Sequence, residues 1–558
     1  MPKLRLFVLV TILLAHRVAS GHELEQVETE NGNSSKVVIK ATRDPSTWFR
    51  VESQHLIVYS DDDVSEVYRL VDYIERLDFL LSLYLKPFLD VPGEIPKLTL
   101  YLKKKGIKTP EMVRHFSESG RTLNNCSSRP PIFIHREQNS WELEDSDLMN
   151  AEDDFGLMQI LWTYSDNFLY RHTRIRGPEW FMTGLVAYFG GIRFSNNQMT
   201  IGRDAGTSYN WLKKIDDGRA GPHFSFDEVL RFEPKQRPAE LNSPEYYQGW
   251  EFLGRSFNLV HFLLSSEKNR NKIPDYLNLV ADGRDPATAF GDIFSLTGRD
   301  LDYAMWRYRG KSLNVLQVDA TFLPKAKIDF TRLTRIEGEF VLDNAALRNC
   351  PTSANGISLL EDLRLSAVQA PNVDLAQLTL SRAQIDWGDP NDAIGYLSRA
   401  VEADTRNPEL PYLLGLAYVK LAKTSDLGNA TYLASARAAL SKAEGLAPNL
   451  PETSYAQFRI GLMCTNPIDK DISNAVNAWR YGHEVPLFAR MAALAYAWLG
   501  QPTETHQIFN TLRRNGRDSK NAHWAALWLT RLKEGVTRHD FLVAMRQENS
   551  MHLSSCSR

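Results

Sequence analysis

The sequence lacks a long apolar segment and an excess of charge of one sign. Its 558 residues carry 65 basic and 68 acidic side chains, a formal net charge of −3, so charge indicates neither nucleic acid nor an anionic membrane as a partner. The apolar run near the N-terminus, "LFVLVTILLA", is shorter than the roughly 20 residues that a membrane-spanning helix needs. We therefore expect no nucleic-acid partner and no transmembrane segment in the mature chain.

Cysteine is also scarce. The four cysteines, Cys126, Cys350, Cys464 and Cys556, lie far apart in the sequence. This spacing excludes a zinc knuckle, which needs close pairs of cysteines. Four cysteines allow three disulfide connectivities, and the sequence does not choose among them. Unpaired structural thiols are the simpler expectation.

Several catalytic signatures are missing. The chain contains no G-x-S-x-G nucleophile elbow, no G-x-x-x-x-G-K-[ST] phosphate-binding loop and no G-x-G-x-x-G dinucleotide fingerprint. No cofactor is therefore expected.

The N-terminus has the pattern of an export signal. Lys3 and Arg5 precede the apolar run, and Val18 and Ser20 stand at the small-residue positions before a cleavage ahead of Gly21. We predict a signal peptide over 1–20, a flexible leader over 21–44 and a periplasmic or secreted protein. A signal anchor that is retained at the N-terminus is the alternative.

The first folded domain is predicted over 45–315. The stretch "TWFRVESQHLIVYS" alternates as a half-buried strand does, and apolar residues from Val67 to Tyr84 recur at helical spacing. Two further strands, "PKLTLYL" and "PPIFIHRE", complete a small sheet with a helix on one face. The stretch "ILWTYSDNFLYRHTRIRGPEWFMTGLVAYFGG" (160–191) then predicts two helices joined by a basic loop, and helical patterns fill 225–310. Residues 316–365 are interpreted as a connector.

Residues 366–548 are predicted to form an all-α repeat domain. A 34-residue frame from Asp374 puts small or apolar residues at regular positions, a second frame begins at Pro408 and a third begins near Pro486. These frames resemble tetratricopeptide repeats, in which small residues let two helices approach closely. An ordinary helical bundle rich in Ala and Leu is the alternative.

The first domain resembles the peptidase MA-like superfamily, the gluzincin-type zinc metallopeptidases. The resemblance covers roughly residues 45–310 and is carried by "WFRVESQHLIVYSD", "PEWFMTGLVAYFGG" and "EFLGRSFNLVHFLL". It implies an α+β domain in which one helix carries His-Glu-x-x-His and the next helix carries a third ligand, a Glu before a Gly.

In this chain all four functional positions of that family are changed. Trp162 and Asp166 stand where the two zinc-binding His residues would be, Thr163 replaces the catalytic Glu, and Thr183 replaces the ligand Glu. Loss of second-shell groups alone costs about 10–100-fold in metal affinity or activity, so loss of the ligands themselves should cost far more. The resemblance therefore implies a pseudopeptidase with no metal and no catalytic residue, in which Trp162 fills the space of the metal.

Other residues are weaker candidates. His172 is expected to be a solvated loop residue, His261 a packed helix residue and His55 a structural residue inside a strand. The acidic cluster Glu152–Asp154 is expected to be a solvated helix start.

Three functions compete on this evidence. The first is a non-catalytic exported pseudopeptidase that binds a protein or peptide through its repeats. The second is a residual hydrolase with a displaced site, for example Asp166 with His261. The third is a scaffold of an envelope complex, in which the first domain is only a spacer.

Overall fold

The structure is a computed structural model. It describes residues 45–89, 96–103, 132–135, 155–173, 175, 177–195, 198–203, 224–232, 244–309, 315–348, 351–424, 429–483, 485–514 and 519–549. The predicted signal peptide, leader and acidic cluster lie outside these residues. Among the described residues, no helix combines the length and apolar character needed to cross a membrane.

The first part of the chain contains both strands and helices, and the part after β8 contains helices. The strands are β1 (Pro45–Glu52), β2 (Leu56–Ser60), β3 (Leu98–Lys103), β4 (Ile132–His135), β5 (Arg193–Ser195), β6 (Gln198–Ile201), β7 (Leu316–Asp319) and β8 (Asp329–Thr334). The helices of the first part are α1 (Val64–Tyr84), α2 (Phe155–His172), α3 (Glu179–Gly190), α4 (Phe226–Arg231), α5 (Pro244–Leu264), α6 (Glu267–Arg270), α7 (Ile273–Ala281), α8 (Pro286–Phe294) and α9 (Gly298–Arg309). The remaining helices are α10 (Arg335–Arg348), α11 (Ser353–Ala367), α12 (Asp374–Trp387), α13 (Pro390–Ala403), α14 (Glu409–Thr424), α15 (Asn429–Leu446), α16 (Pro451–Met463), α17 (Asp469–Tyr481), α18 (Pro486–Trp498), α19 (Pro502–Arg514), α20 (Ser519–Glu534) and α21 (Arg538–Glu548).

A five-stranded mixed sheet organises the first part in the order β4-β3-β2-β1-β8. Strands β2, β3 and β4 are parallel, while β1 is antiparallel to both β2 and β8. The single strand predicted at the start of the domain is therefore a hairpin, because the chain turns between Glu52 and Leu56. Strands β7 and β8 lie in the segment expected as a connector, and they pair with β6 and β1.

The two faces of this sheet have different partners. Alternate strand residues such as Val51, Val58 and Leu100 are buried against the apolar side of α1, as the period of two requires. Asp63 caps α1, since its side chain accepts from the backbone N–H groups of Ser65 and Glu66. On the opposite face, Trp48, Tyr101 and Leu333 pack against α10, and other residues such as Arg50 and Tyr59 line a cleft.

Helix α3 lies at the centre of the first part. All but its first residue is buried, and its sequence is apolar on every side, which is typical of a helix enclosed by others. It packs between α2 and α5, and Gly184 permits the contact with α5: a Cβ there would lie 2.3 Å from the carbonyl oxygen of Ser256.

The second part is a run of helix pairs compatible with a helical repeat. Within the described residues, α12 to α21 follow one another as five successive pairs, and the apolar clusters pass along the run from pair to pair. The predicted frames at Asp374, Pro408 and Pro486 coincide with the starts of α12, α14 and α18, while the pair α16–α17 was not predicted. Gly415 packs where a Cβ would lie 2.7 Å from Leu440, as the small-residue argument requires.

Candidate functional site

The resemblance to gluzincins stated above would place the zinc ligands on helices α2 and α3. Trp162 and Asp166 lie one turn apart on α2, and Thr183 lies on α3. Asp166 and Thr183 are both 7% exposed, so these positions are enclosed in the domain. We call the group of Trp162, Thr163, Asp166 and Thr183 the α2–α3 site.

The indole of Trp162 packs directly against the end of α3. A Cβ placed on Gly190 would lie 1.3 Å from the indole Cδ1, so the ring occupies the space above this glycine. The indole N–H is buried and has no hydrogen-bond acceptor among the described residues. An unpaired buried N–H is costly, which indicates that apolar packing holds the ring in place.

Thr183 makes a local hydrogen bond. Its hydroxyl lies 3.0 Å from Oε1 of Glu179, one turn earlier on the same helix. Glu179 is therefore a carboxylate near the α2–α3 site that the sequence analysis did not single out. Within the described part of the chain, however, no group of three or more His, Cys, Asp or Glu side chains is placed to hold a metal ion.

The structure places two of the candidate histidines on helices, where His261 is buried and His172 is half-buried. His261 is 1% exposed on α5, and its Nδ1 lies 2.6 Å from the hydroxyl of Tyr308, which confirms the prediction of a packed helix residue. The prediction for His172 was wrong. It is the last residue of α2, and its ring stacks on Phe168 with centroids 4.2 Å apart. Burial, with the charge of Arg171, lowers its pKa to about 3.

The sequence analysis placed His55 inside a strand, but the residue lies in the turn between β1 and β2. Its Nδ1 lies 2.6 Å from Oε2 of Glu75 and 3.5 Å from Oδ1 of Asp78, both on α1. The second oxygen of Asp78 accepts a hydrogen bond of 2.6 Å from the hydroxyl of Tyr164 on α2. The sequence analysis missed this cluster because its members lie in segments far apart in the chain.

A large cleft lies between the open face of the sheet and the inner side of the helical run. It has a volume of about 1750 Å³. From the sheet it is lined by Arg50, Glu52, Ile57, Tyr59, Thr99 and Tyr101. From the helical run it is lined by aromatic residues Tyr412, Tyr455 and Tyr481 and by amides Asn344, Asn407, Asn449 and Asn549. No residue of the α2–α3 site lines it, so the two are separate features of the molecule.

The charges in the cleft wall are largely paired with one another. Lys97 donates to Glu52 at 2.6 Å, and Arg50 pairs with the same carboxylate. Burial opposes the ionisation of Glu52, but Lys97 and Arg50 outweigh it and lower its pKa. The wall therefore offers paired charges rather than a field of one sign.

A second ion-paired group joins three helices at the cleft wall. Arg348 of α10 reaches both carboxylate oxygens of Glu409 of α14 at 2.7 Å, and Arg382 of α12 donates to the same carboxylate. Because three helices meet at this carboxylate, the group fixes how the first repeats follow α10.

Cys464, at the end of α16, is disulfide-bonded. The expectation of unpaired thiols was therefore wrong for this residue. The other three cysteines lie outside the described residues. Disulfides persist mainly in oxidising compartments, outside the cytosol.

No protein-family model matches this chain, and no curated protein shows significant similarity to it. The resemblance to gluzincins and to tetratricopeptide repeats therefore stays an expectation carried by the residues quoted above.

Proposed function

We propose that this chain is an exported, non-catalytic pseudopeptidase that binds an extended polypeptide segment in the cleft. The observation that carries the proposal is the cleft itself. Its volume of about 1750 Å³ exceeds the roughly 300–1,000 Å³ of sites for small molecules, which favours a polymeric ligand.

The lining of the cleft favours a polypeptide. Amide side chains such as Asn407 and Asn549 can both donate to and accept from a peptide backbone, and tyrosine rings offer apolar area with a polar end. The paired charges of the wall disfavour a polyanion such as nucleic acid, which is bound by unpaired basic side chains.

The α2–α3 site supports the non-catalytic half of the proposal. A bulky indole packs where the resemblance implies a zinc ligand, and the hydroxyl of Thr183 is bonded within its own helix. Export is supported by the signal-like N-terminus and by the disulfide of Cys464.

Peptide binding can be tested with a library of random 12-residue peptides selected against the full chain. Selected peptides, labelled with fluorescein, are titrated against the wild type, Tyr481→Ala and Tyr303→Ala by fluorescence anisotropy. Tyr481 lines the cleft, whereas Tyr303 is exposed on α9 outside it, so the same substitution serves as a control. We expect about a tenfold loss of affinity for Tyr481→Ala alone. Selection of peptides that bind both variants equally, or of none, would count against the proposal.

The pseudopeptidase half can be tested by restoring the family's ligands. The variant Trp162→His, Thr163→Glu, Asp166→His and Thr183→Glu should bind zinc at one ion per chain, while the wild type should bind none tightly. Metal analysis after dialysis measures both, and circular dichroism shows whether the variant is folded. One tightly held zinc in the wild type would refute the non-catalytic assignment.

A further inference from the structure

His55 presents one ring nitrogen to the cleft. The imidazole is 31% exposed and lines the cleft, while its Nδ1 is engaged by Glu75 at 2.6 Å. An ionised carboxylate can only accept a hydrogen bond, so Nδ1 carries a proton in either charge state of the ring. Nε2 makes no hydrogen bond with the described residues and is the nitrogen available to a ligand.

Hydrogen bonds keep the carboxylate of Glu75 ionised beside the His55 ring. It is 7% exposed, and its Oε1 accepts from the hydroxyl of Ser53 at 2.5 Å and from the backbone N–H of His55 at 2.9 Å. Burial opposes ionisation of this carboxyl, but the hydrogen bonds from His55 and Ser53 outweigh it and lower the pKa of Glu75. A buried carboxylate of this kind favours a cation beside it.

The protonated imidazole of His55 is the cation that lies beside the carboxylate of Glu75. Burial lowers the pKa of His55, but the hydrogen bond to Glu75 and the charges of Asp78 and Glu75 outweigh that effect, so the pKa is raised above its ordinary value. Burial also raises the pKa of Asp78, with partial compensation from His55 and Tyr164. When protonated, the ring directs an N–H from Nε2 towards the cleft.

Lys97 is the cation next to His55 on the cleft side, and its charge disfavours the protonated ring. Its ammonium group has three donors, and its one ion pair among the described residues is with Glu52. An anion placed between His55 and Lys97 would accept from both and would remove the repulsion between them. The other charged or titratable groups around the ring are Arg50 and Glu52 of β1, Glu75 and Asp78 of α1, and Tyr164, Arg171 and His172 of α2.

We propose that His55 and Lys97 form a carboxylate-binding subsite at the sheet end of the cleft. It takes an acidic side chain or the C-terminal carboxylate of the bound polypeptide. This inference rests on the proposed function and names the group of the ligand that is recognised. With His55 protonated, the surrounding cations Arg50, Lys97, Arg171 and His55 outnumber the carboxylates of Glu52, Glu75 and Asp78 by one.

Binding and protonation are coupled at this subsite. When the ring is neutral, Nε2 carries a lone pair and repels a carboxylate; when it is protonated, Nε2 donates a charge-assisted hydrogen bond. Affinity for a carboxylate therefore falls as the pH rises through the pKa of His55, and affinity for a carboxamide does not. A tenfold preference of a carboxylate for the protonated form corresponds to a rise of about one unit in the pKa of His55 on binding.

The subsite can be tested without a known ligand, using acetate as the probe and acetamide as its neutral control. The full chain is labelled with ¹³C at the histidine Cε1, and the signal of His55 is assigned from its absence in His55→Gln. We expect acetate, but not acetamide, to raise the titration midpoint of His55, and we expect Lys97→Gln to reduce this rise. A midpoint that does not respond to acetate, or that responds equally in Lys97→Gln, would overturn the proposal.

A peptide experiment separates this inference from the proposed function. Peptides selected for the cleft are compared as the acid and as the amide at pH 5.5 and pH 8.5. The acid should bind about tenfold more tightly at pH 5.5, and the difference should shrink at pH 8.5 and in Lys97→Gln. Equal binding of acid and amide, with sensitivity to Tyr481→Ala retained, refutes the subsite and leaves peptide binding intact. A response to acetate without any cleft-binding peptide supports the subsite and refutes the proposed function.

Discussion

The α2–α3 site and the cleft use aromatic side chains in opposite ways. At the α2–α3 site the indole of Trp162 packs on Gly190 and closes the space between two helices. In the cleft, rings such as Tyr59 and Tyr481 line an open volume of about 1750 Å³. The α2–α3 site is thus closely packed, whereas the open surface with varied polar groups lies in the cleft.

The two regions also differ in their charged side chains. Near α3 the enclosing residues are mainly apolar. In the cleft wall, charged side chains form ion pairs, as Arg348 and Arg382 do with Glu409. Four predictions test this contrast, beginning with the largest expected effect.

The tight packing around α3 predicts that Gly184→Ala is strongly destabilising. The new methyl group would lie 2.3 Å from a backbone carbonyl of α5, and two helices would have to separate to admit it. We expect a loss of about 3 kcal/mol in the free energy of unfolding, measured by urea denaturation.

Gly395→Ala is the matched control. Gly395 is an exposed position on α13 where a Cβ would meet nothing within 4 Å. The same substitution should raise stability there by about 0.5–1 kcal/mol, because alanine restricts the unfolded chain and favours a helix. Equal effects at the two glycines would contradict the contact between α3 and α5.

The paired charges of the cleft wall predict that Glu409→Gln is also destabilising, to a smaller degree. It leaves Arg348 and Arg382 without their shared carboxylate, and breaking a buried pair costs about 3–5 kcal/mol. Glu409 is 24% exposed, so we expect about 2 kcal/mol. In Glu339→Gln, where the pair with Arg335 is exposed, we expect less than about 0.5 kcal/mol. A similar loss of stability in Glu409→Gln and Glu339→Gln would show that the ion pairs of Glu409 are no better shielded from water than an exposed pair.

The position of His172, stacked on Phe168 beside Arg171, predicts a pH effect below neutrality. Its pKa is about 3 when folded and about 6.5 when unfolded, so the unfolded chain binds the proton first as the pH falls. Stability is therefore unaffected above pH 6.5 and is lost between about pH 6.5 and 3. These pKa values correspond to a loss of up to about 2.7 kcal/mol at pH 4.5. Because His172 is only half-buried and solvent screens its charge, we expect His172→Gln to remove about 1.5 kcal/mol, measured by urea denaturation. His506→Gln, at an exposed position of α19, is the control substitution.

The smallest effect is expected at Asp343 on α10. Burial, with the nearby charge of Asp362, raises its pKa to about 6. The folded state binds the proton more tightly than the unfolded state, so stability falls as the pH rises from about 3.8 to 6. The whole shift corresponds to about 3 kcal/mol at pH 7.5. Because Asp343 is only half-buried and solvent screens its charge, we expect Asp343→Asn to stabilise the protein by about 1 kcal/mol at pH 7.5 and to have little effect near pH 3.5. A gain that does not depend on pH would show that the charge is not its cause.

Much of the local structure could be predicted from the sequence. Helical spacing from Val67 onwards and the alternation in β2 and β3 anticipated α1 and the strands it covers, because periodicity reflects which side of an element is buried. The frames at Asp374, Pro408 and Pro486 anticipated helix starts for the same reason.

The candidate sites were less predictable. Only the resemblance singled out Trp162 and Thr183, and the packing of the indole on Gly190 depends on the approach of two helices. The cluster of His55, Glu75 and Tyr164 had no signal in the sequence, since no local spacing relates a strand turn to two separate helices.

The sequence by itself determined which residues are apolar and where many of the helices and strands begin, because these properties depend on neighbours along the chain. Only the tertiary structure decided that a cleft lies between the sheet and the repeats and that His55 faces it with Glu75 behind it. Volume, burial and the charge that one side chain imposes on another depend on distances in space between residues that are remote in the chain.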